Sequence, residues 1–179
     1  MRNLGVIGAG ALLSMSPWLS VFSEVVETSG EKCRLAIIGT GSRGRFLMSF
    51  LLQNPKVEIV ALCDIYQPSM EKALNLVREA KVYTDYRKVL ENKTVDAVLV
   101  ATPLNLHCQI VLDAFDAGKH VFCEKSIGFT MEECFRIYKK HISTGKVFFT
   151  GQQRLFDPRY IKAMEMIHAG TFRSEERRV

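Results

Sequence analysis

A doubly wound, parallel α/β sheet is the fold class that this sequence predicts, and two observations carry it. Short apolar runs of strand length alternate with stretches of helical periodicity from Cys33 to Gly170. That is the pattern of parallel strands buried on both faces beneath helices. The first apolar run also leads straight into Gly39-Thr40-Gly41-Ser42-Arg43-Gly44, glycines at G-x-G-x-x-G spacing. A helix, a second strand and a terminal acid follow in the order of a dinucleotide-binding unit. At 179 residues the chain is long enough for one domain with a sizeable core.

The elements follow in sequence. Leu35 to Ile38 form a buried strand, and from Phe46 to Leu52 apolar residues recur at helical spacing until Asn54-Pro55 stops them. Val57 to Cys63 is the second strand and ends in Asp64, twenty residues after Gly44. Pro68 to Ala80 predicts a helix with Met70, Ala73, Leu74 and Val77 on one face. Val82-Tyr83 forms a short strand and Tyr86 to Leu90 a short helix. Val95 to Ala101 is a buried strand broken by Thr102-Pro103, and Leu106 to Ala117 a helix closed by Gly118. His120 to Cys123 is the fifth strand. Thr130 and Glu133 have capping-box spacing and open a helix to about His141. Val147 to Thr150 is the sixth strand, and Asp157-Pro158 starts a last helix that ends at Gly170. The whole is a Rossmann domain without internal repeats.

Composition removes several classes of function. The net charge of +5 is scattered, with no basic stripe interleaved with aromatics, so nucleic acid is not an expected partner. The five cysteines (33, 63, 108, 123 and 134) have no CxxC spacing and an odd count, which argues against a metal centre or a disulfide framework. Residues 1–30 lie outside the alternation. Arg2, then Leu4 to Met15 rich in Gly and Ala, then Pro17 and polar residues through Gly30 suit a secretory signal. The apolar stretch is too short for a comfortable membrane span. No clean A-x-A cleavage site is visible, so a retained anchor stays open beside a cleaved signal. Gly8-Ala9-Gly10 mimics a dinucleotide turn, but no strand precedes it. The expectation is export to a bacterial periplasm, or a cytoplasmic protein if this segment does not function.

Ligands of such sheets bind beyond the carboxyl ends of the strands, where the strand order reverses. Gly39 permits the tight turn, Gly41 leaves room for a pyrophosphate, and Gly44 allows close helix–strand packing. Ser42 and Arg43 belong to the same turn, whose free N–H groups would hold phosphate. Asp64 is placed to accept hydrogen bonds from an adenosine ribose, and it favours NAD over NADP because a carboxylate repels a 2′-phosphate. Thr102, Pro103 and His107 follow the fourth strand. His107 is either a packing histidine or a cofactor contact. Glu124-Lys125 ends an inner strand, where charges need a partner or a ligand. Arg154 is either a surface charge or a contact for an anionic or polyhydroxy ligand.

Three stretches carry a family resemblance: Ala101-Thr102-Pro103 with His107, then Ala117-Gly118-Lys119-His120-Val121-Phe122-Cys123-Glu124-Lys125, then Gln153-Arg154-Leu155-Phe156-Asp157. Together they resemble the glucose–fructose oxidoreductase and inositol dehydrogenase (Gfo/Idh/MocA) family, over about residues 32 to 172. The resemblance implies a two-domain NAD(P)-dependent enzyme acting on a sugar or cyclitol, and a homo-oligomer when complete. It makes Lys125 the catalytic lysine, hydrogen-bonding substrate and nicotinamide ribose, and matches Gly39, Gly41, Gly44 and Asp64 to dinucleotide contacts. Arg154 matches an arginine near the nicotinamide. Two positions depart from the family pattern: Ser126 stands where proline usually follows Glu-Lys, and Leu155 replaces a second arginine.

The resulting organisation is a signal-like segment (1–30), a dinucleotide-binding domain (31–156) and the start of a linker helix (157–172). The second, α+β substrate domain that the resemblance implies is missing from this chain. Residues 173–179 resemble the translation of a sequencing-adapter oligonucleotide and are expected to be a non-native tail. The leading expectation is an exported sugar or cyclitol dehydrogenase of which this chain carries the cofactor half. The alternatives are an NAD-dependent glycosidase working by transient oxidation, and a dinucleotide-binding fragment without activity.

Overall fold

The computed structural model describes residues 32–152, 154 and 157–171. The signal-like segment, the terminal tail and Gln153, Leu155 and Phe156 lie outside the described residues.

Six strands form one parallel sheet: β1 Cys33–Ile38, β2 Val57–Cys63, β3 Lys81–Tyr83, β4 Ala97–Val100, β5 His120–Cys123 and β6 Phe148–Thr150. Their spatial order is β3-β2-β1-β4-β5-β6, and every neighbouring pair is parallel. The strand order therefore reverses between β1 and β4. The helices are α1 Ser42–Leu51, α2 Gln67–Leu74, α3 Tyr86–Glu91, α4 His107–Asp116, α5 Met131–Thr144 and α6 Pro158–His168.

The two-residue period of the strands sorts their side chains into two cores. Leu35, Ile37, Ile59, Leu62, Leu99 and Phe122 face one way and pack with Leu47, Met48 and Leu51 of α1 and Met70 and Ala73 of α2. Ala36, Ile38, Cys63, Val98, Val100, Val121 and Cys123 face the other way, against Val89, Ile110, Val111, Ala114, Phe115 and Ile137. Both faces of the inner strands are thus covered, which is why β1, β4 and β5 read as nearly continuous apolar runs. One irregularity interrupts the alternation. Leu35 pairs with Ile59 and Ala36 with Ala61, so Val60 is an extra residue in β2.

Several elements differ from their sequence boundaries, and three of the differences have a visible cause. The helix expected to reach Ala80 ends at Leu74, and the chain turns through Val77 so that buried Ala80 can feed β3. The fourth strand starts at Ala97 instead of Val95. The Val95 N–H donates to Asn92, and its carbonyl oxygen accepts from the buried Lys119 ammonium. The helix expected to end near His141 runs on to Thr144, where Gly145 closes it at φ 63°. Its start is as expected: Thr130 Oγ1 and the Glu133 carboxylate cap each other's backbone N–H groups.

Candidate functional site

The glycine turn lies at the point where the strand order reverses, between the ends of β1 and β4. Gly39 has φ 95°, and a Cβ there would lie 2.6 Å from the Ala101 carbonyl group. The turn after β1 is therefore seated directly on the loop after β4. At Gly44 a Cβ would fall 2.0 Å from the Gly39 carbonyl oxygen, so the first turn of α1 lies against the turn it leaves. Gly41 is different: a Cβ there meets nothing within 4 Å. No side chain caps α1 at Gly41, and its leading N–H groups have no intrahelical acceptors.

Asp64 closes the turn from the end of β2. Its Oδ2 accepts from the Thr40 N–H at 2.7 Å and the Thr40 hydroxyl at 3.0 Å, and its Oδ1 accepts from the Tyr66 N–H at 2.9 Å. The expected ribose acceptor is thus also a brace for the glycine turn. A carboxylate has about four acceptor positions, so Oδ1 retains one for a ribose hydroxyl. Arg45 adds to the brace by donating to the Thr40 carbonyl oxygen at 2.6 Å.

Beside the turn is a cleft of about 300 Å³ lined by Arg43, Ala101, Thr102, Leu104, His107, Glu124 and Lys125. Glu124 is 5 % exposed. Its Oε1 accepts from Nε and Nη2 of Arg43 at 2.8 and 2.6 Å, and its Oε2 from the Lys125 N–H at 3.3 Å. The buried carboxylate is thereby paired, as burial of a charge requires. His107, also buried, has Nδ1 at 2.7 Å from the Ser126 carbonyl oxygen and Nε2 at 2.9 Å from that of Thr102. The Lys125 side chain is exposed at the rim. The Thr102 hydroxyl oxygen is buried and has no hydrogen-bond partner among the described residues.

Five of the residues named from the sequence thus line one cleft: Arg43, Thr102, His107, Glu124 and Lys125. Gly39, Gly41, Ser42, Gly44 and Asp64 form the adjoining turn, and Pro103 is exposed where the loop after β4 enters a short 3₁₀ turn. Arg154 is not brought into the cleft lining. Its guanidinium lies over the Tyr160 ring of α6 at 5.3 Å. Sequence reasoning gave no contact role to Thr40 or Ser126, which act through a hydroxyl and backbone groups whose partners the sequence does not mark. Among the described residues no group of three or more His, Cys, Asp or Glu is placed to hold a metal ion, and no helix is long and apolar enough to cross a membrane.

The model of an oxidoreductase family with an NAD-binding Rossmann fold, Gfo/Idh/MocA, matches residues 33–152. A glycosyl hydrolase family 109 protein from Stenotrophomonas maltophilia is 32 % identical over 93 % of this chain and 37 % of its own length. An inositol 2-dehydrogenase from Salmonella typhimurium is 31 % identical over 76 % of this chain and 42 % of its own. Among solved structures, myo-inositol dehydrogenase from Lactobacillus casei in complex with NAD(H) and myo-inositol is similar at a TM-score of 0.73 and 32 % identity. It matches 78 % of this chain and 42 % of that one. The chain therefore spans about two fifths of the length of the relatives it matches.

Proposed function

The chain belongs to the Gfo/Idh/MocA oxidoreductase family, with its NAD-binding Rossmann fold, and from that we propose that it forms the NAD-binding half of an enzyme oxidising a hydroxyl carbon of a sugar or cyclitol. The observation that carries this is the Lys125 ammonium at the rim of a cleft that continues the glycine turn. The residues fit a dinucleotide. Space is open in front of Gly41, the start of α1 is uncapped, and the buried Thr102 hydroxyl lacks a partner.

The N–H groups at the start of α1 would hold the pyrophosphate. Asp64 would take the adenosine ribose, and Thr102 and the cleft would take the nicotinamide half. When bound, NAD supplies a hydride acceptor for the substrate carbon. The Lys125 ammonium offsets the negative charge that grows on the substrate oxygen as its proton leaves. Arg43 holds the Glu124 carboxylate in place, and the His107 ring lies between two backbone carbonyl oxygens.

The family 109 relative, matched over 93 % of this chain, favours a second function for the same half. In that function the sugar would give a hydride to the cofactor held by this half, the aglycone would leave by elimination, water would add, and the same hydride would return. Both functions need the same cleft and differ in net product. With full-length protein, accumulation of reduced cofactor on a sugar or cyclitol identifies the dehydrogenase. Release of nitrophenol from a nitrophenyl glycoside without such accumulation identifies the glycosidase, and neither activity overturns both.

Cofactor choice is tested separately on the 179-residue chain by calorimetry. The Asp64 carboxylate should make NAD bind more tightly than NADP, and equal or tighter NADP binding overturns that assignment. Export directed by residues 1–30 belongs to the same proposal, and secretion of a reporter fused to that segment tests it.

A further inference from the structure

His107 is 2 % exposed, and each of its ring nitrogens faces a backbone carbonyl oxygen, so a ring N–H donates to the Ser126 or the Thr102 carbonyl group. A ring with no nitrogen to spare does not also hydrogen-bond a nucleotide. Its partners show what it does instead. Thr102 belongs to the loop after β4, while Ser126 directly follows Lys125 in the loop after β5. The ring thus ties the segment bearing Lys125 to the neighbouring strand end, across nineteen residues of sequence.

Lys125 is anchored on its other side as well. Its N–H donates to Glu124 Oε2, and Arg43 from the first turn of α1 holds Glu124 Oε1. The circuit closes through Gly39, which lies so near Ala101 and Thr102 that a Cβ would come within 2.8 Å of both residues' backbones. Glycine turn, Arg43, Glu124, Lys125, Ser126, His107 and Thr102 therefore form one continuous ring of contacts around the cleft. Lys125 is the charged member of that ring whose side chain is left exposed.

We infer that His107 is a positioning residue, fixing the Ser126 carbonyl group and thereby the backbone from which the Lys125 ammonium reaches the nicotinamide end of the cleft. This rests on the nucleotide-binding function proposed above. Without the imidazole, the Ser126 carbonyl turns to water and the Lys125 segment loses one of its two anchors. A site loosened by an ångström keeps its residues and loses their effect.

The test uses the full chain, its H107F and H107Q variants, and two ligands. ADP-ribose carries the adenosine and pyrophosphate but no nicotinamide, so calorimetry with it measures the glycine turn alone. NAD at saturation should also shield Lys125 from acetylation by acetic anhydride, read by mass spectrometry of the Lys125 peptide. H107F should bind ADP-ribose within about twofold of the unaltered chain, while the shielding of Lys125 falls from about tenfold to below about twofold. H107Q, whose amide can donate to one of the two carbonyl groups, should bind ADP-ribose equally well and show intermediate shielding.

Shielding equal to that of the unaltered chain, in whichever variant still binds ADP-ribose, overturns the positioning role. Loss of ADP-ribose binding in both variants overturns it too, because His107 then supports the whole fold. Failure of the unaltered chain to bind ADP-ribose overturns the nucleotide-binding function, and the positioning role with it. These failures are distinguishable from one another.

Discussion

A Cβ added at Gly44 would lie 2.0 Å from the Gly39 carbonyl oxygen, whereas one added at Gly41 would meet nothing within 4 Å. The two glycines share a motif but serve opposite ends: one is required by the protein's own backbone, the other leaves room for something else. Gly44→Ala should therefore destabilise the domain by about 2–3 kcal/mol, seen as a lowered thermal midpoint without ligand. Gly41→Val should leave that midpoint nearly unchanged, since its φ of −59° suits any residue, yet abolish ADP-ribose binding by filling the pyrophosphate space. A Gly41→Val protein that still bound ADP-ribose would remove the turn from the site. This part of the site was legible because the motif compresses its geometry into six consecutive residues. The partners of Glu124 and His107 were not. Arg43 is 81 residues from Glu124, and Ser126 takes part through a carbonyl group that every residue possesses. The aromatic partner of Arg154 was hidden as well: its guanidinium lies over the Tyr160 ring.

Among the elements, the inner strands β1, β4 and β5 were legible because burial on both faces makes them nearly continuous apolar runs. Helix ends were less so, since they depend on where the following strand must begin. Buried Ala80 forced α2 to stop short, and nothing in the helix's own periodicity records that. The opposite end of the sheet from the cleft depends on a contact that periodicity also hides. Arg34 in β1 donates to both Asp96 oxygens, through Nε at 3.0 Å and Nη2 at 2.7 Å, and its backbone N–H adds a third bond at 2.9 Å. Burial alone would raise the Asp96 carboxyl, but these bonds outweigh it and hold the group below its usual 3.8. A carboxyl more acidic when folded than unfolded stabilises the fold above its unfolded pKa, and this contribution is lost as the pH falls through the folded value. Asp96→Asn should therefore lower stability by about 1 kcal/mol at neutral pH. The difference from the unaltered chain should shrink steadily as the pH drops below 3.8. Urea midpoints measured across that range check it, and a difference constant with pH would mean that the charge of Asp96 does not matter. ADP-ribose binding should be unaffected, because the pair lies far along the strands from the cleft.

At the scale of the whole molecule, the described residues give the cleft cations and braces, and its carboxylates are engaged within the chain. Glu124 is held by Arg43 and the Lys125 N–H, the two nitrogens of His107 are on carbonyl oxygens, and Asp64 is spent largely on Thr40 and Tyr66. Under the proposed function Lys125 stabilises a substrate oxygen, and an ammonium has no lone pair with which to take the hydroxyl proton. Binding of the nucleotide and completion of the chemistry should therefore separate cleanly. The 179-residue chain should bind NAD and produce no reduced cofactor from any sugar or cyclitol. In the full-length protein, Lys125→Ala should depress turnover by about a hundredfold or more. NAD affinity should stay within about threefold of the unaltered value, because backbone N–H groups and Asp64 carry most of that binding. Steady-state rates combined with calorimetry on the same variant measure both quantities. A proportional fall in NAD affinity would place Lys125 among the groups that hold the cofactor and not the substrate oxygen. Sustained production of reduced cofactor by the purified 179-residue chain would show that a base within it had been overlooked, and would overturn this division of labour at its root.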